Sequence, residues 1–189
     1  MIRPPISGLA LLLIGTAAQA AGFGFVTKAG HIGFLVPDEW KVIQLASKPA
    51  IAIAAFQVEN SADAGTPDST NFAVMVYHTG TPEGQEAWTR TRFGRQYGAV
   101  PPVESTVRGW HVFRQEAAQR STPYTMIDAS KACADEIILV RAAWPHLRLN
   151  PPNYDHDMND AVDTLVQSIQ CIDGPLELKD GVSVYRPIQ

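Results

Sequence analysis

Residues 103–143 read VESTVRGWHVFRQEAAQRSTPYTMIDASKACADEIILVRAA, and this stretch decides the fold. It contains four segments rich in β-branched and aromatic residues, a composition typical of strands. Short turn signals separate them, at Gly109, at 121–123 and at Ala134-Asp135. Because connections this short join antiparallel neighbours, the stretch predicts a four-stranded meander. The predicted strands are 103–108, 110–117, 124–131 and 136–143.

Helical patterns stand on both sides of the meander. Before it, Thr81-Pro82-Glu83 supplies a hydroxyl N-cap, a proline at the first helical position and an acid near the positive end of the helix dipole. That helix is predicted to run to about Tyr97 and to stop at Gly98. After the meander, apolar residues at three- and four-residue steps over 153–172 predict an amphipathic helix. The sequence therefore predicts an α+β fold, an antiparallel sheet flanked by helices with one closing amphipathic helix.

The two ends of the chain predict an exported single domain. Residues 1–20 have a positive charge at Arg3, an apolar run over 9–14 and a small-residue cleavage site at Ala18-Gln19-Ala20, as in signal peptides. The apolar run is shorter than the roughly 20 residues that cross a bilayer. We therefore expect a mature domain over 21–174 in the periplasm, or else secreted, with no stable membrane insertion. For the tail, 175–189, a hairpin at Asp180-Gly181 and a loose tail remain alternatives.

The remaining apolar segments predict strands in the first half of the domain. The polar segment between the last two of them, 59–71, is predicted to be a long loop, which in a compact domain is commonly either functional or disordered. The strands are 23–25, 32–36, 41–45, 51–58 and 72–77.

The two cysteines, Cys133 and Cys171, predict a disulfide, because an even pair without close spacing in an exported protein is typical of a structural bridge. Two buried free thiols are the alternative.

Charge narrows the class of partner. The chain has 15 Lys and Arg against 19 Asp and Glu, a net charge of −4, which argues against nucleic acid as a partner. Arginine is concentrated over 88–120, and Trp110 follows Arg108 at a predicted turn, where an exposed Trp–Arg pair would have the chemistry of an interface hot spot. The candidate binding residues are Arg90, Arg92, Arg95, Arg108 and Trp110.

Catalytic motifs are absent from the sequence, and we expect no enzyme activity and no cofactor. The five histidines are isolated from one another, so a Ser-His-Asp site would have to be assembled from distant residues. Asp155-His156-Asp157-x-x-Asp160 has oxygen and imidazole ligands that could hold a metal. Acids at these positions are also typical of a helix start, which is the preferred interpretation.

The order of elements resembles the PsbP-like fold, shared by an extrinsic photosystem protein, a yeast Ran-binding protein and bacterial exported proteins of the DcrB type. The resemblance rests on an aliphatic-Pro-x-x-Trp turn at Val36, Pro37 and Trp40, and on a helix with aromatic residues that ends at Tyr97-Gly98. It implies an α/β/α sandwich and a scaffold used mostly for binding. It carries over no catalytic residue.

Together these features predict a non-catalytic, exported accessory protein of the cell envelope that binds another envelope or secreted protein. One version is an immunity protein that blocks a toxin acting in the periplasm. The alternative is a secreted or periplasmic hydrolase whose site is assembled from scattered residues.

Overall fold

The computed structural model describes residues 20–27, 30–58, 69–93, 101–119, 122–172 and 182–185. Most of the predicted signal peptide, most of the 59–71 segment, Arg95 and Gly98 lie outside these ranges. The described elements, in chain order, are β1 (Ala20–Val26), β2 (His31–Pro37), β3 (Lys41–Ser47), β4 (Ile51–Gln57), β5 (Asn71–Tyr77), α1 (Pro82–Phe93), β6 (Val103–Val107), β7 (Trp110–Gln119), β8 (Thr122–Cys133), β9 (Glu136–Pro145), α2 (Tyr154–Ser168), β10 (Gln170–Ile172) and β11 (Val182–Tyr185).

The strands form two sheets. The larger has the order β3-β4-β5-β9-β8-β7-β6 with antiparallel neighbours, and the smaller has the order β10-β2-β1-β11. The predicted meander is confirmed as β6 to β9. In the smaller sheet β11 pairs in parallel with β1, from Gly22 opposite Val182 to Phe25 opposite Tyr185. The proposed turn at Asp180-Gly181 lies outside the described residues.

Side chains along the central strands point alternately to the two faces of the larger sheet, and each face is covered by different elements. On β5, Phe72, Val74 and Val76 belong to the main core with the smaller sheet and α2, whereas Met75 and Tyr77 belong to a second cluster with α1. The larger sheet therefore lies between α1 on one face and the smaller sheet with α2 on the other. The predicted α+β class, a sheet flanked by helices, is confirmed.

The start of α1 explains a glycine. The Thr81 hydroxyl accepts a hydrogen bond from the backbone N–H of Gly84 at 3.1 Å, so the predicted N-cap is confirmed. A Cβ added at Gly84 would lie 1.9 Å from the carbonyl oxygen of His78. Only glycine lets the first helical turn approach the end of β5 this closely.

The closing helix is shorter than predicted. Its apolar stripe is confirmed, since Tyr154, Met158, Val162 and Leu165 are buried. The helix ends at Ser168, however, and residues 170–172 pair with β2 as strand β10. The periodicity predicted a longer helix because the apolar residues at 169 and 172 continue the three- and four-residue spacing of the helical face. Within the described residues, no helix combines the length and the apolar run needed to cross a bilayer.

Candidate functional site

Four polar side chains meet where β9 gives way to α2, and we call them the His146 network: Glu116, Thr125, His146 and Asp155. Glu116 and Thr125 face each other on β7 and β8, as direct register partners. His146 follows the end of β9, where its backbone N–H donates to the carbonyl oxygen of Pro123 at 2.7 Å. Asp155 lies in the first turn of α2.

Thr125 and the imidazole of His146 form the centre of the network. The Thr125 hydroxyl donates to the Glu116 carboxylate, whose oxygens lie 2.8 and 3.0 Å away. Nε2 of His146 lies 2.9 Å from the Thr125 oxygen, and Nδ1 lies 3.2 Å from Oδ1 of Asp155. Both ring nitrogens of His146 therefore face an oxygen.

Neighbouring side chains fix the two carboxylates. Oδ1 of Asp155 also accepts a hydrogen bond from the indole N–H of Trp144 at 2.8 Å. Arg114 lies 3.1 Å from Glu116 and donates to the side-chain oxygen of Asn159 on α2 at 2.6 Å. The network therefore connects three strands of the larger sheet to the start of α2.

Access to the network is uneven. The side chain of His146 is 30 % exposed and borders an open cavity of about 360 Å³, which Arg148, Asn150, Tyr154 and Asp155 also line. Thr125 is 0 % exposed. A ligand can reach the imidazole, but not the hydroxyl.

The sequence did not indicate this network. The sequence allows a site assembled from distant residues, but His146 is only one of five histidines that occur singly, and no local pattern selects it, Glu116 or Thr125. The only usable signal was the β7–β8 hairpin, whose register places Glu116 opposite Thr125. The crossing at 146–153 brings in the other two side chains, and no local pattern encodes its path.

The predicted arginines are not brought together within the described residues. Arg90 and Arg92 lie exposed on α1, and Arg90 pairs with Glu86 one turn earlier. Arg108 is exposed at the β6–β7 turn, with a φ of 51°, followed by Gly109 at 79°, as in a type I′ hairpin. Helix α1 packs on β5, and four strand spacings separate β5 from β6, the strand that leads to Arg108. The two strands are therefore roughly 19 Å apart. Arg95 lies outside the described residues.

Trp110 corrects one prediction. It is 4 % exposed and belongs to the main core, so the exposed pair with Arg108 is not formed. The reason is register, because Trp110 shares a strand face with Val112, which packs against the same core. Lys131 lies over the ring, 5.9 Å from its centroid.

The predicted disulfide between Cys133 and Cys171 is confirmed, with a Cα–Cα distance of 6.1 Å. Cys133 ends β8, and Cys171 lies on β10 rather than on the closing helix where the sequence placed it. The bridge therefore joins the two sheets.

The acidic side chains at the start of α2 do not gather around one common site. Asp155 is engaged by Trp144 and His146, and the His156 ring lies 3.6 Å from Asp160. In the part of the chain that the structure describes, no three His, Cys, Asp or Glu side chains form a group that could hold a metal ion. The acids of the first helical turn are Asp155 and Asp157, where the helix dipole favours them.

The fold and the bridge define the class, a disulfide-bonded α+β sandwich. No protein-family model and no curated protein matches the chain. Among solved structures, it is similar to a protein from Bacteroides thetaiotaomicron (9 % identity, TM-score 0.46), over 82 % of this chain and 49 % of that one. It is also similar to LpqN of Mycobacterium tuberculosis, described as involved in cell envelope biogenesis (12 % identity, TM-score 0.45), over 73 % of this chain and 81 % of that one. The chain thus spans about half the length of the first of these. The PsbP-like assignment stays a prediction.

Proposed function

We propose that the chain is an exported accessory protein of the cell envelope, which binds another envelope or secreted protein and catalyses no reaction. The disulfide supports export, because such bridges form in oxidising compartments. An immunity protein that blocks a periplasmic toxin is the most specific form of this proposal.

The proposal that the chain catalyses no reaction rests on the burial and the hydrogen-bond contacts of Thr125. A nucleophilic hydroxyl must reach a substrate carbonyl and pass its proton to the base beside it. The hydroxyl of Thr125 is fully buried, and it lies as close to the Glu116 carboxylate, at 2.8 Å, as to the His146 ring, at 2.9 Å, so Glu116 competes with His146 for its proton. The His146 network thus supports a structural role, tying α2 to the larger sheet.

A hydrolase is the second candidate, because Thr125, His146 and Asp155 occur in the order of a nucleophile, a base and an orienting acid. Thr125→Val separates the two functions, since valine keeps the shape and removes the hydroxyl. For a binding protein we expect unchanged partner affinity and a loss of about 1–3 kcal/mol in the free energy of unfolding, because Glu116 and His146 lose a partner. Loss of an ester- or amide-hydrolysing activity that the wild-type chain possesses would instead establish the hydrolase.

The binding function is tested with the partner that the tagged chain captures from an envelope extract. Association kinetics are then measured with the purified partner. Arg92→Glu is expected to lower the association rate several-fold, because rim charges steer encounter, and the difference should shrink in high salt, which screens charges beyond roughly 8–10 Å. Lys48→Glu, a charge reversal at an exposed lysine that lies outside α1 and does not line the cavity beside His146, is the control. If Arg92→Glu and Arg108→Glu both leave the rate unchanged, the arginines are not part of the interface.

A further inference from the structure

The C-terminal strand β11 covers one edge of the smaller sheet. In the order β10-β2-β1-β11 it lies outermost, and β1 is the only described strand with which it pairs. The pairing is parallel and covers residues 22–25 of β1, so that Ala21 and Val26 of the same strand lie beyond it. Because parallel pairs are slightly less stable per residue than antiparallel ones, β11 is held by a short and weak contact.

Without β11, strand β1 would be an unprotected edge. Sheet edges are commonly shielded from other chains by charged residues, prolines, bulges or very short strands. The sequence of β1, AAGFGFV, contains no charged residue and no proline. Its pairing with β2 runs from Ala20 to Val26 in unbroken register, without a bulge. A regular, uncharged edge of this kind readily accepts another extended strand.

The other outer strands in the described part of the chain each have a shielding feature. β3 has the exposed Lys41 and a bulge between Val42 and Gln44, β6 has the exposed Glu104, and β10 is three residues long. The contrast indicates that β1 depends on β11 for its protection. The edge of β1 is therefore a strand-binding position whose occupant in this structure is a segment of the same chain.

The position of β11 in the chain favours its replacement. It is the last described element and follows β10, which lies at the opposite edge of the same sheet. Its departure therefore breaks the four-residue pairing with β1 and no other strand pairing among the described residues. A segment that pairs along the whole of β1 makes backbone hydrogen bonds that β11 does not make.

We propose that the edge of β1 is the docking position for an extended segment of the partner protein, and that β11 occupies it when the partner is absent. The incoming segment runs parallel to β1 in the register of β11. Its chemistry is that of residues 182–185, VSVY, which are uncharged and rich in the β-branched and aromatic types that favour strands. This inference rests on the proposed function, because it states how the partner is bound.

Hydrogen exchange of the wild-type chain tests whether β11 leaves the sheet by itself. The backbone N–H groups of residues 182–185 should exchange at least about tenfold faster than those of β2, because local opening of a terminal strand costs less than global unfolding. Equal protection of the two strands would overturn the proposal, since β11 would then open only when the whole sheet unfolds.

A fluorescent synthetic peptide of residues 180–187 is the probe for the edge itself. Ser183→Pro/Val184→Pro in the full-length chain removes backbone donors from β11, so that β11 no longer competes for β1. We expect this variant to bind the peptide at least about tenfold more tightly than the wild-type chain does, because its edge is open in a larger fraction of molecules. The bound peptide should slow hydrogen exchange over residues 20–26.

Strand β6 provides the matched control. Ser105→Pro/Thr106→Pro makes the same change on another outer strand, and it should leave the affinity for the peptide at the wild-type value. Circular dichroism checks that both variants are folded, and the exchange measurement on the wild-type chain decides independently of them. A peptide that binds both variants equally tightly, or that binds without protecting residues 20–26, would overturn the proposal.

The partner that the tagged chain captures allows the last comparison. It should bind Ser183→Pro/Val184→Pro more tightly than the wild-type chain, and the unlabelled peptide should compete with it. A partner that binds both chains equally and ignores the peptide overturns the docking edge but leaves the proposed function standing. A chain that captures no partner overturns the proposed function itself.

Discussion

Two arginine–carboxylate pairs differ in how far their side chains are buried. Arg141 on β9 makes a two-pronged contact with Asp128 on β8, at 2.7 and 2.8 Å, and the Asp128 side chain is 1 % exposed. The hydrogen bond to Asp128 raises the pKa of the Arg141 guanidinium above its ordinary value, although burial acts in the opposite direction. Arg90 and Glu86 form the same kind of pair on the exposed surface of α1.

The two pairs should therefore differ in their effect on stability. Arg141→Leu is expected to lower the free energy of unfolding by about 2–4 kcal/mol, because the buried Asp128 carboxylate loses its two-pronged partner. Arg90→Leu removes an exposed pair and should change it by less than about 0.5 kcal/mol. Urea denaturation of both variants checks this. Equal losses would show that Asp128 gains little from Arg141.

At the scale of elements, local signals predicted where most helices and strands begin, but not every end. The Thr81 cap and the meander were predictable because each rests on adjacent residues. The end of α2 was not, since tertiary contacts decide it. Pairing with β2 and the bridge to Cys133 hold Cys171 in an extended strand. Apolar spacing alone could not distinguish that strand from another helical turn.

The stripe of α2 yields a prediction at this scale. Leu165 is almost fully buried between the helix and the two sheets. Leu165→Ala should lower the free energy of unfolding by about 2–5 kcal/mol, because it removes apolar contacts and leaves a cavity. Thr164→Ala, at the exposed neighbouring position, should cost little, since alanine is a better helix former. A denaturation midpoint that Leu165→Ala leaves unchanged would contradict the burial of the stripe.

At the scale of the whole molecule, the positions and burial of the candidate site residues depend on packing between the layers. Trp110 was predicted to be exposed because it follows a turn, but the register of β7 turns its side chain into the core. The His146 network takes two members from strands β7 and β8, His146 from the crossing at 146–153, and Asp155 from α2. The meander predicts only one of its pairs, Glu116 and Thr125. Cys133 and Cys171 were predictable for a different reason, because their chemistry and number limit the pairing to one choice.

That bridge joins the two sheets, and its removal should act mainly on the unfolded chain. The cysteines are 38 positions apart, and closing a loop of that length costs the unfolded state about 4 kcal/mol of conformational freedom. A Cys133→Ser/Cys171→Ser variant should therefore lose about that much stability in urea. Reductant should lower the wild-type midpoint toward that of the variant and leave the variant itself unchanged, since a serine pair has no bond to break. If the wild-type chain and the variant unfold at the same midpoint without reductant, the bridge contributes nothing to holding the two sheets together.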